Sequence, residues 1–135
     1  MNTSIPTNGQ LERTLSQRIQ ALYRDELGHR TGKITCSLCG SKAVIVIEDS
    51  ITQPEQILAK EGQTTLAEEV RSELDDAIQP RLKQLIEEVL NVEVIDLLSD
   101  ATLETGRTGI IAVLKMEPTV RASSATQRLK TRAPL

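Results

Sequence analysis

The feature that most constrains the fold is the stretch of residues 33 to 49, which reads KITCSLCGSKAVIVIED. Two runs rich in β-branched residues flank Gly40-Ser41, a pair typical of a two-residue hairpin turn. Pairing outward from this turn places Cys39 opposite Lys42. Because side chains alternate along a strand, Cys36 and Cys39 are predicted on opposite faces. One face of this hairpin is then predicted to carry only apolar side chains: Ile34, Cys36, Leu38, Ala43, Ile45 and Ile47.

Helical patterns precede and follow this hairpin. A stripe from Leu11 to Leu27 predicts a first helix over residues 9 to 27, with Asn8 as N-cap and Gly28 just past its end. Residues Thr52 to Glu55 have the spacing of a capping box and predict the start of a short helix.

A second capping box, from Thr65 to Glu68, predicts the start of the longest helix, which keeps its apolar phase through Pro80. We therefore expect a kink at Pro80 rather than two separate helices. Its acidic residues are predicted to form a solvated face. The predicted core stripe consists of Leu66, Val70, Leu74, Ile78, Leu82, Leu85, Ile86, Val89 and Leu90.

Two further strands are predicted at about residues 92 to 99 and 108 to 116, and both are apolar on both faces. The whole order is α-β-β-α-α-β-β, which predicts an α+β fold with a four-stranded, mostly antiparallel sheet and helices packed on one face. The second, apolar face of the sheet would then be exposed to solvent unless a partner covered it. We therefore predict a homodimer or larger oligomer. That face is predicted to carry Val44, Val46, Ile95, Leu97, Ile111 and Val113.

Charge divides the chain of 135 residues. Residues 1 to 117 carry 12 basic and 19 acidic side chains, whereas the rest carries four basic ones and no acidic one. We predict a disordered segment over residues 1–8, a single α+β domain over 9–117 and a basic, disordered tail over 118–135. The acidic body argues against nucleic acid as a partner. The tail is either solvated or a weak tether to an acidic partner or an anionic membrane.

The chain has no run near the ~18 apolar residues needed to span a bilayer, and its first fifteen residues lack the apolar core of a signal peptide. We therefore expect a cytoplasmic protein whose cysteines are thiols. Cys36 and Cys39 have the spacing of half a zinc knuckle, which would need a second chain to complete four ligands. Three interpretations stay open: packing and turn residues, an intersubunit metal site, and a redox pair. We predict no cofactor.

Between the last two strands, a predicted loop concentrates hydroxyls, carboxylates and an arginine, and it is longer than a turn requires. It is the candidate contact for a partner or ligand. The alternative is that its polar side chains only hydrogen-bond to one another within the turn. No nucleophile and base are placed by spacing, and no phosphate-binding loop is present, so we expect no enzyme activity and no catalytic residue. The candidate residues are Ser99, Asp100, Thr102, Glu104, Thr105, Gly106 and Arg107.

Several of these stretches together resemble a known family. They are ITQPEQILAKEG, the helix segment VRSELDDAIQPRLKQLIEEVLNVEV, and LLSDATLETGRTGIIAVL. They resemble the MpsC-type family of small bacterial proteins, described as a component of a sodium-translocating, membrane-potential-generating system and associated with inorganic carbon supply. The resemblance covers about residues 10 to 117. It implies a soluble accessory to membrane machinery, it carries over no catalytic residue, and it does not account for Cys36 and Cys39.

The predicted function is therefore that of a non-enzymatic, oligomeric accessory or regulatory protein. Its expected partners are a second copy of itself and a membrane ion or inorganic-carbon uptake system, which would place it peripherally at the inner face of the membrane. The alternative is a sensor of a small ligand, a metal or redox state, with a site assembled at the dimer interface.

Overall fold

The computed structural model describes residues 5–121. Within them the predicted element order α-β-β-α-α-β-β is confirmed. The elements are α1 (Asn8–Leu27), β1 (Ile34–Cys39), β2 (Lys42–Ile47), α2 (Gln53–Lys60), α3 (Thr64–Leu90), β3 (Val94–Thr102) and β4 (Arg107–Leu114).

The four strands form one antiparallel sheet in the order β1-β2-β4-β3. The first hairpin has the predicted register, from Cys39 opposite Lys42 at the turn to Ile34 opposite Ile47 at the far end. Gly40 has a φ of 60°, a left-handed conformation that glycine adopts without the steric cost of a Cβ. The α+β prediction is therefore confirmed down to the residue pairs of this hairpin.

The second hairpin departs from simple alternation. A bulge between Val94 and Asp96 shifts the register, so that Leu97 lies opposite Ala112 and Leu98 opposite Ile111. Because one extra residue moves every later side chain to the other face, Leu97 packs against the core while Leu98 is 57% exposed. The assignment of Leu97 to the second face is therefore wrong, and Leu98 takes its place there.

The helices α1 and α3 cover one face of the sheet and enclose a core built almost entirely of aliphatic side chains. Tyr23 is its only aromatic member and is 1% exposed. The opposite, open face has no covering element among the described residues. The buried aliphatic members are Leu11, Leu15, Ile19, Ala43, Ile45, Ile47, Ile78, Leu82, Leu85, Ile86, Leu90, Val94, Ile110, Ala112 and Leu114.

Element ends differ from several predicted boundaries. The N-cap of α1 is Thr7, whose hydroxyl accepts a hydrogen bond from the Gln10 backbone, and Asn8 is already helical. Gly28 ends α1 in the left-handed conformation, as predicted. The second predicted capping box is wrong, because α3 begins at Thr64 without a side-chain cap.

The described part of the chain ends short of both termini. Residues 1–4 of the predicted N-terminal segment and 122–135 of the predicted tail lie outside it.

Thr102 and Arg107 belong to the strands β3 and β4, so the predicted loop shrinks to a turn over residues 103 to 106. A single helix continues through Pro80, which confirms that the two halves of the long apolar stripe belong to one element. Within residues 5–121, no helix is both long enough and apolar enough to cross a bilayer.

Candidate functional site

A buried ion pair joins α2 to α3. The Arg71 guanidinium donates from Nε to Glu55 Oε2 (2.7 Å) and from Nη2 to Glu55 Oε1 (2.6 Å). Glu55 is 0% exposed and Arg71 is 5% exposed. Such a two-point contact fixes geometry as well as charge, because the planar guanidinium matches the carboxylate. The pair therefore sets the position of α2 relative to α3.

Further hydrogen bonds engage the polar atoms of both Glu55 and Arg71. Glu55 Oε1 accepts from the backbone N–H (3.1 Å) and hydroxyl (2.7 Å) of Thr52, which confirms that Glu55 is the partner of Thr52 at the start of α2. Arg71 also donates to the Ser50 carbonyl (3.1 Å) and to Asp75 Oδ1 (3.0 Å). Every polar group of the pair thus has a partner, as a charge removed from water requires.

The electrostatics follow from one cation between two carboxylates. Burial alone would lower the pKa of Arg71, but the hydrogen bonds and charges of Glu55 and Asp75 outweigh it and raise that pKa. Burial raises the pKa of Asp75, and Arg71 only partly opposes this. The cluster therefore has a fixed positive centre, with Glu55 buried on one side of it and Asp75 at its edge.

This cluster was not predicted from the sequence. The predicted stripe of α3 began at Leu66, Val70 and Leu74, whereas the structure buries Ala67 and Arg71 in that half of the helix. Leu66 is 43% exposed. The acidic residues were also predicted to form a solvated face, yet the Asp75 side chain is only 22% exposed. The spacing of Arg71 and Asp75, four residues apart on one helix, was the available signal.

A cleft of about 820 Å³ lies beside the cluster, between the N-terminal half of α3 and the C-terminal half of β3. Its walls are acidic, and within residues 5–121 Arg71 is the single basic residue that lines it. The acidic lining residues are Glu68, Asp75, Asp76, Asp100 and Glu104. The ion pair of Arg71 thus fixes one wall of this cleft, and the edge strand β3 forms the other.

Five of the seven predicted site residues lie on this cleft: Ser99, Asp100, Thr102, Glu104 and Thr105. The other two point to structural roles. The Gly106 carbonyl accepts from the Ser50 backbone N–H (2.8 Å) and hydroxyl (3.1 Å), and Arg107 pairs with Glu48 (2.8 Å). The hydroxyls of Thr102 and Thr105 hydrogen-bond to each other across the turn.

The two cysteines lie on opposite faces of β1, as the alternation predicted. Cys36 is 7% exposed, and its sulfur accepts a hydrogen bond from the Ser16 hydroxyl (3.4 Å). Cys39 is exposed beside the turn. Burial raises the pKa of the Cys36 thiol, with the Ser16 hydrogen bond opposing. Within one chain, the two sulfurs are therefore not placed as a metal chelate or a redox pair.

This placement predicts two very different thiol reactivities. We expect Cys39 to react with an aromatic disulfide reagent in one fast phase at neutral pH. Cys36 should react at least about 100-fold more slowly, because its thiol is buried and the thiolate is the reactive form. The Cys39→Ser chain should show only the slow phase, and the Cys36→Ser chain only the fast phase. Equal rates for the two variants would contradict this placement.

Among residues 5–121, no group of three or more His, Cys, Asp or Glu side chains is arranged to hold a metal ion. The intersubunit metal site remains a prediction from the sequence.

Tyr23 packs beside the ionic cluster and is the only tyrosine of the chain. Burial raises the pKa of Tyr23 to about 12, with Arg71 opposing the shift and Asp75 adding to it. A raised folded-state pKa means that the stability contributed by neutral Tyr23 is fully present below the ordinary pKa of 10.0 and is lost as the pH rises to about 12.

We therefore expect the free energy of unfolding to fall by up to about 3 kcal/mol more in the natural chain than in Tyr23→Phe between pH 10.0 and about 12. Urea unfolding at a series of pH values gives this difference. Because the chain has no tryptophan, the tyrosinate absorbance reports the same titration directly. A tyrosinate signal with a midpoint at the ordinary pKa in the folded protein would show that Tyr23 is not held in this environment.

Comparison with curated proteins and with solved structures finds no match. A family model described as Na+-translocating membrane potential-generating system (MpsC) matches residues 7–116, a range that contains all seven helices and strands. The match confirms the resemblance drawn from the α3 and β3-β4 motifs. The chain therefore belongs to the MpsC family.

Proposed function

We propose that this protein is a non-enzymatic accessory or regulatory component of the Na+-translocating, membrane-potential-generating system for which its family is named. It acts by binding a protein partner of that system, an ion or inorganic-carbon uptake complex, from the cytoplasmic side at the inner face of the membrane. The family match supports a role in this system, and the surfaces of the chain support binding as the mode of action.

The observation that carries the proposal is the acidic cleft between α3 and β3. Its volume of about 820 Å³ is large enough for a peptide segment or several side chains of a partner. One wall is held by the buried pair of Glu55 and Arg71, so the cleft sits on a rigid support. Its carboxylates favour a partner that presents basic groups.

The open face of the sheet supports self-association. Val44, Ile111 and Leu98 are direct cross-strand neighbours on β2, β4 and β3, and they form an apolar row across that face. Their exposed fractions are 40%, 41% and 57%. Contiguous apolar surface of this kind marks an interface, and a second copy is the occupant we propose.

The border of this row carries charges of both signs, from Lys42 and from Asp96 and Asp100. A two-fold arrangement can therefore set opposite charges against each other, whereas a border of one sign would repel its own copy. The proposed dimer leaves the helix side of each subunit, including the mouth of the cleft on α3, free for the partner.

Affinity capture from the cell that makes this protein tests the proposal. The tagged natural chain should recover subunits of the Na+-translocating system, and Asp76→Ala should recover about tenfold less, because a carboxylate of the α3 wall of the cleft is removed. Asp25→Ala is the matched control, since it removes an exposed carboxylate of α1. Recovery of unrelated proteins only, or equal recovery by both variants, would contradict the proposal.

A further inference from the structure

The outer edge of β1 is occupied by side chains of α1. The Leu38 backbone N–H donates to Glu12 Oε2 (2.9 Å), and the Ser16 hydroxyl donates to the Ile34 carbonyl (3.1 Å). Edge strands otherwise present unpaired backbone groups that attract another strand. Side chains of α1 therefore cover this edge of the sheet near both of its ends.

The other edge, β3, is covered over only part of its length. Glu87 on α3 accepts from the Val94 backbone N–H (3.0 Å), and Gln79 donates to the Leu97 carbonyl (2.9 Å). Beyond Leu97 the cleft separates α3 from the strand. No other element of the described chain covers the edge from this point to the turn.

Backbone groups along a strand alternate in direction. Because the Leu97 carbonyl points away from β4, the backbone groups of Ser99 and Ala101 point away from it too, into the cleft. The Ala101 N–H is taken by its neighbour, Asp100 Oδ1 (2.9 Å). Within the described residues, no hydrogen bond from another element reaches the Ser99 backbone. The Ser99 N–H and carbonyl thus offer an edge, beside Ala101, to which an extended segment can add.

The charge of the cleft selects a basic segment. Glu68, Asp75 and Asp76 line the α3 side, and Arg71, the one basic lining residue in the described part of the chain, is already engaged by Glu55 and Asp75.

The sequence contains a segment of this kind outside the described residues. Residues 127–133 read QRLKTRA, with Arg128, Lys130 and Arg132 at alternate positions and no acidic residue. In an extended conformation these three side chains point to one side. We propose that residues 127–133 dock in the cleft of their own chain as an extended segment beside Ser99 and Ala101, with the basic side toward α3.

The length of the chain fits this placement. The Arg121 N–H donates to the Pro6 carbonyl (2.8 Å), and Pro6 lines a small cavity together with Asn91 at the C-terminal end of α3. Asp76 lies about 22 Å from Asn91 along the helix axis, and the seven residues from Arg121 to Arg128 span about 23 Å when extended.

The same spacing continues further along the cleft. Arg132 reaches about 36 Å from Arg121, and Glu68 lies about 34 Å from Asn91. The segment then runs parallel to β3, and its basic residues follow the carboxylates of α3. The contact is internal to the chain, so it does not depend on the proposed partner, although a partner of the same cleft would have to displace it.

Amide hydrogen exchange on the full chain tests the proposal at one backbone group. The Ser99 amide should be protected in the natural chain, and Arg128→Glu/Lys130→Glu/Arg132→Glu should raise its exchange rate at least about 10-fold, because the reversed charges repel the cleft. The Leu38 amide, held by Glu12, is the internal reference and should not change.

Two further variants separate the proposal from a general charge effect. The first variant exchanges two pairs of neighbours in one chain, Arg128→Leu/Leu129→Arg and Lys130→Thr/Thr131→Lys. It keeps the composition and net charge but moves two basic side chains to the other side of the segment. It should also release Ser99. Glu68→Lys/Asp76→Lys should restore protection in the chain that carries the three glutamates.

An unprotected Ser99 amide in the natural chain would overturn the proposal, and so would equal protection in the natural and the reversed-charge chains. Protection that disappears on dilution would assign the segment to a second copy and overturn the intrachain placement. Since the purified chain alone is measured, failure here leaves the affinity-capture result untouched.

Discussion

Replacing Arg71 by methionine is expected to destabilise the protein by about 3–5 kcal/mol, because it leaves the fully buried Glu55 carboxylate without its cation. This is a large part of the 5–15 kcal/mol that a domain of this kind typically has. The loss should appear as a lower urea midpoint with an unchanged slope. Protein concentration must be held constant, because self-association would add to the apparent stability.

The matched control is Arg81→Met, which breaks the exposed pair of Arg81 with Glu26. Exposed pairs contribute at most about 1 kcal/mol, so this variant should unfold close to the natural chain. Removing both buried charges, with Glu55→Leu/Arg71→Met, should cost less than Arg71→Met alone, because no unpaired charge then remains. A loss no greater for Arg71→Met than for Arg81→Met would contradict the buried pair.

Replacing Ile111 by aspartate is expected to abolish the proposed dimer. Ile111 lies in the apolar row of the open face, between Val44 and Leu98. A two-fold interface would bury two new carboxylates, and the desolvation penalty of several kcal/mol for each should weaken association by about 1,000-fold or more. The fold should survive, because Ile111 is 41% exposed in the single chain.

Sedimentation velocity gives the association state, and circular dichroism shows whether the variant is folded. The control is Gln20→Asp, which adds the same charge to the exposed side of α1 and should leave association unchanged. An Ile111→Asp chain that is folded and sediments as the natural chain does would assign the interface to another surface.

Local pattern was enough to predict the first hairpin. Two alternating runs joined by Gly40-Ser41 leave one register that gathers the apolar side chains on one face, and the structure has that register. The helix order and the end of α1 at Gly28 were predictable for the same reason, since both are encoded by neighbours in the sequence.

Features that depend on distant partners were not predictable. The bulge before Asp96 arises where β3 pairs with β4, and it exchanged the faces assigned to Leu97 and Leu98. Arg71 was not among the residues predicted for the core, because a lone arginine is rarely buried. Its partner Glu55 lies sixteen positions earlier in the chain, on another helix. The sequence prediction named five of the residues that line the cleft on β3 and its turn, but it did not name the α3 wall that faces them.

The claim that the open sheet face is a subunit interface is tested most directly by the mass of the natural chain in solution. Light scattering at micromolar concentration should give at least twice the chain mass of 14.9 kDa. A mass of 14.9 kDa across that range would show that the open face is not covered by a second copy and would contradict the proposed dimer.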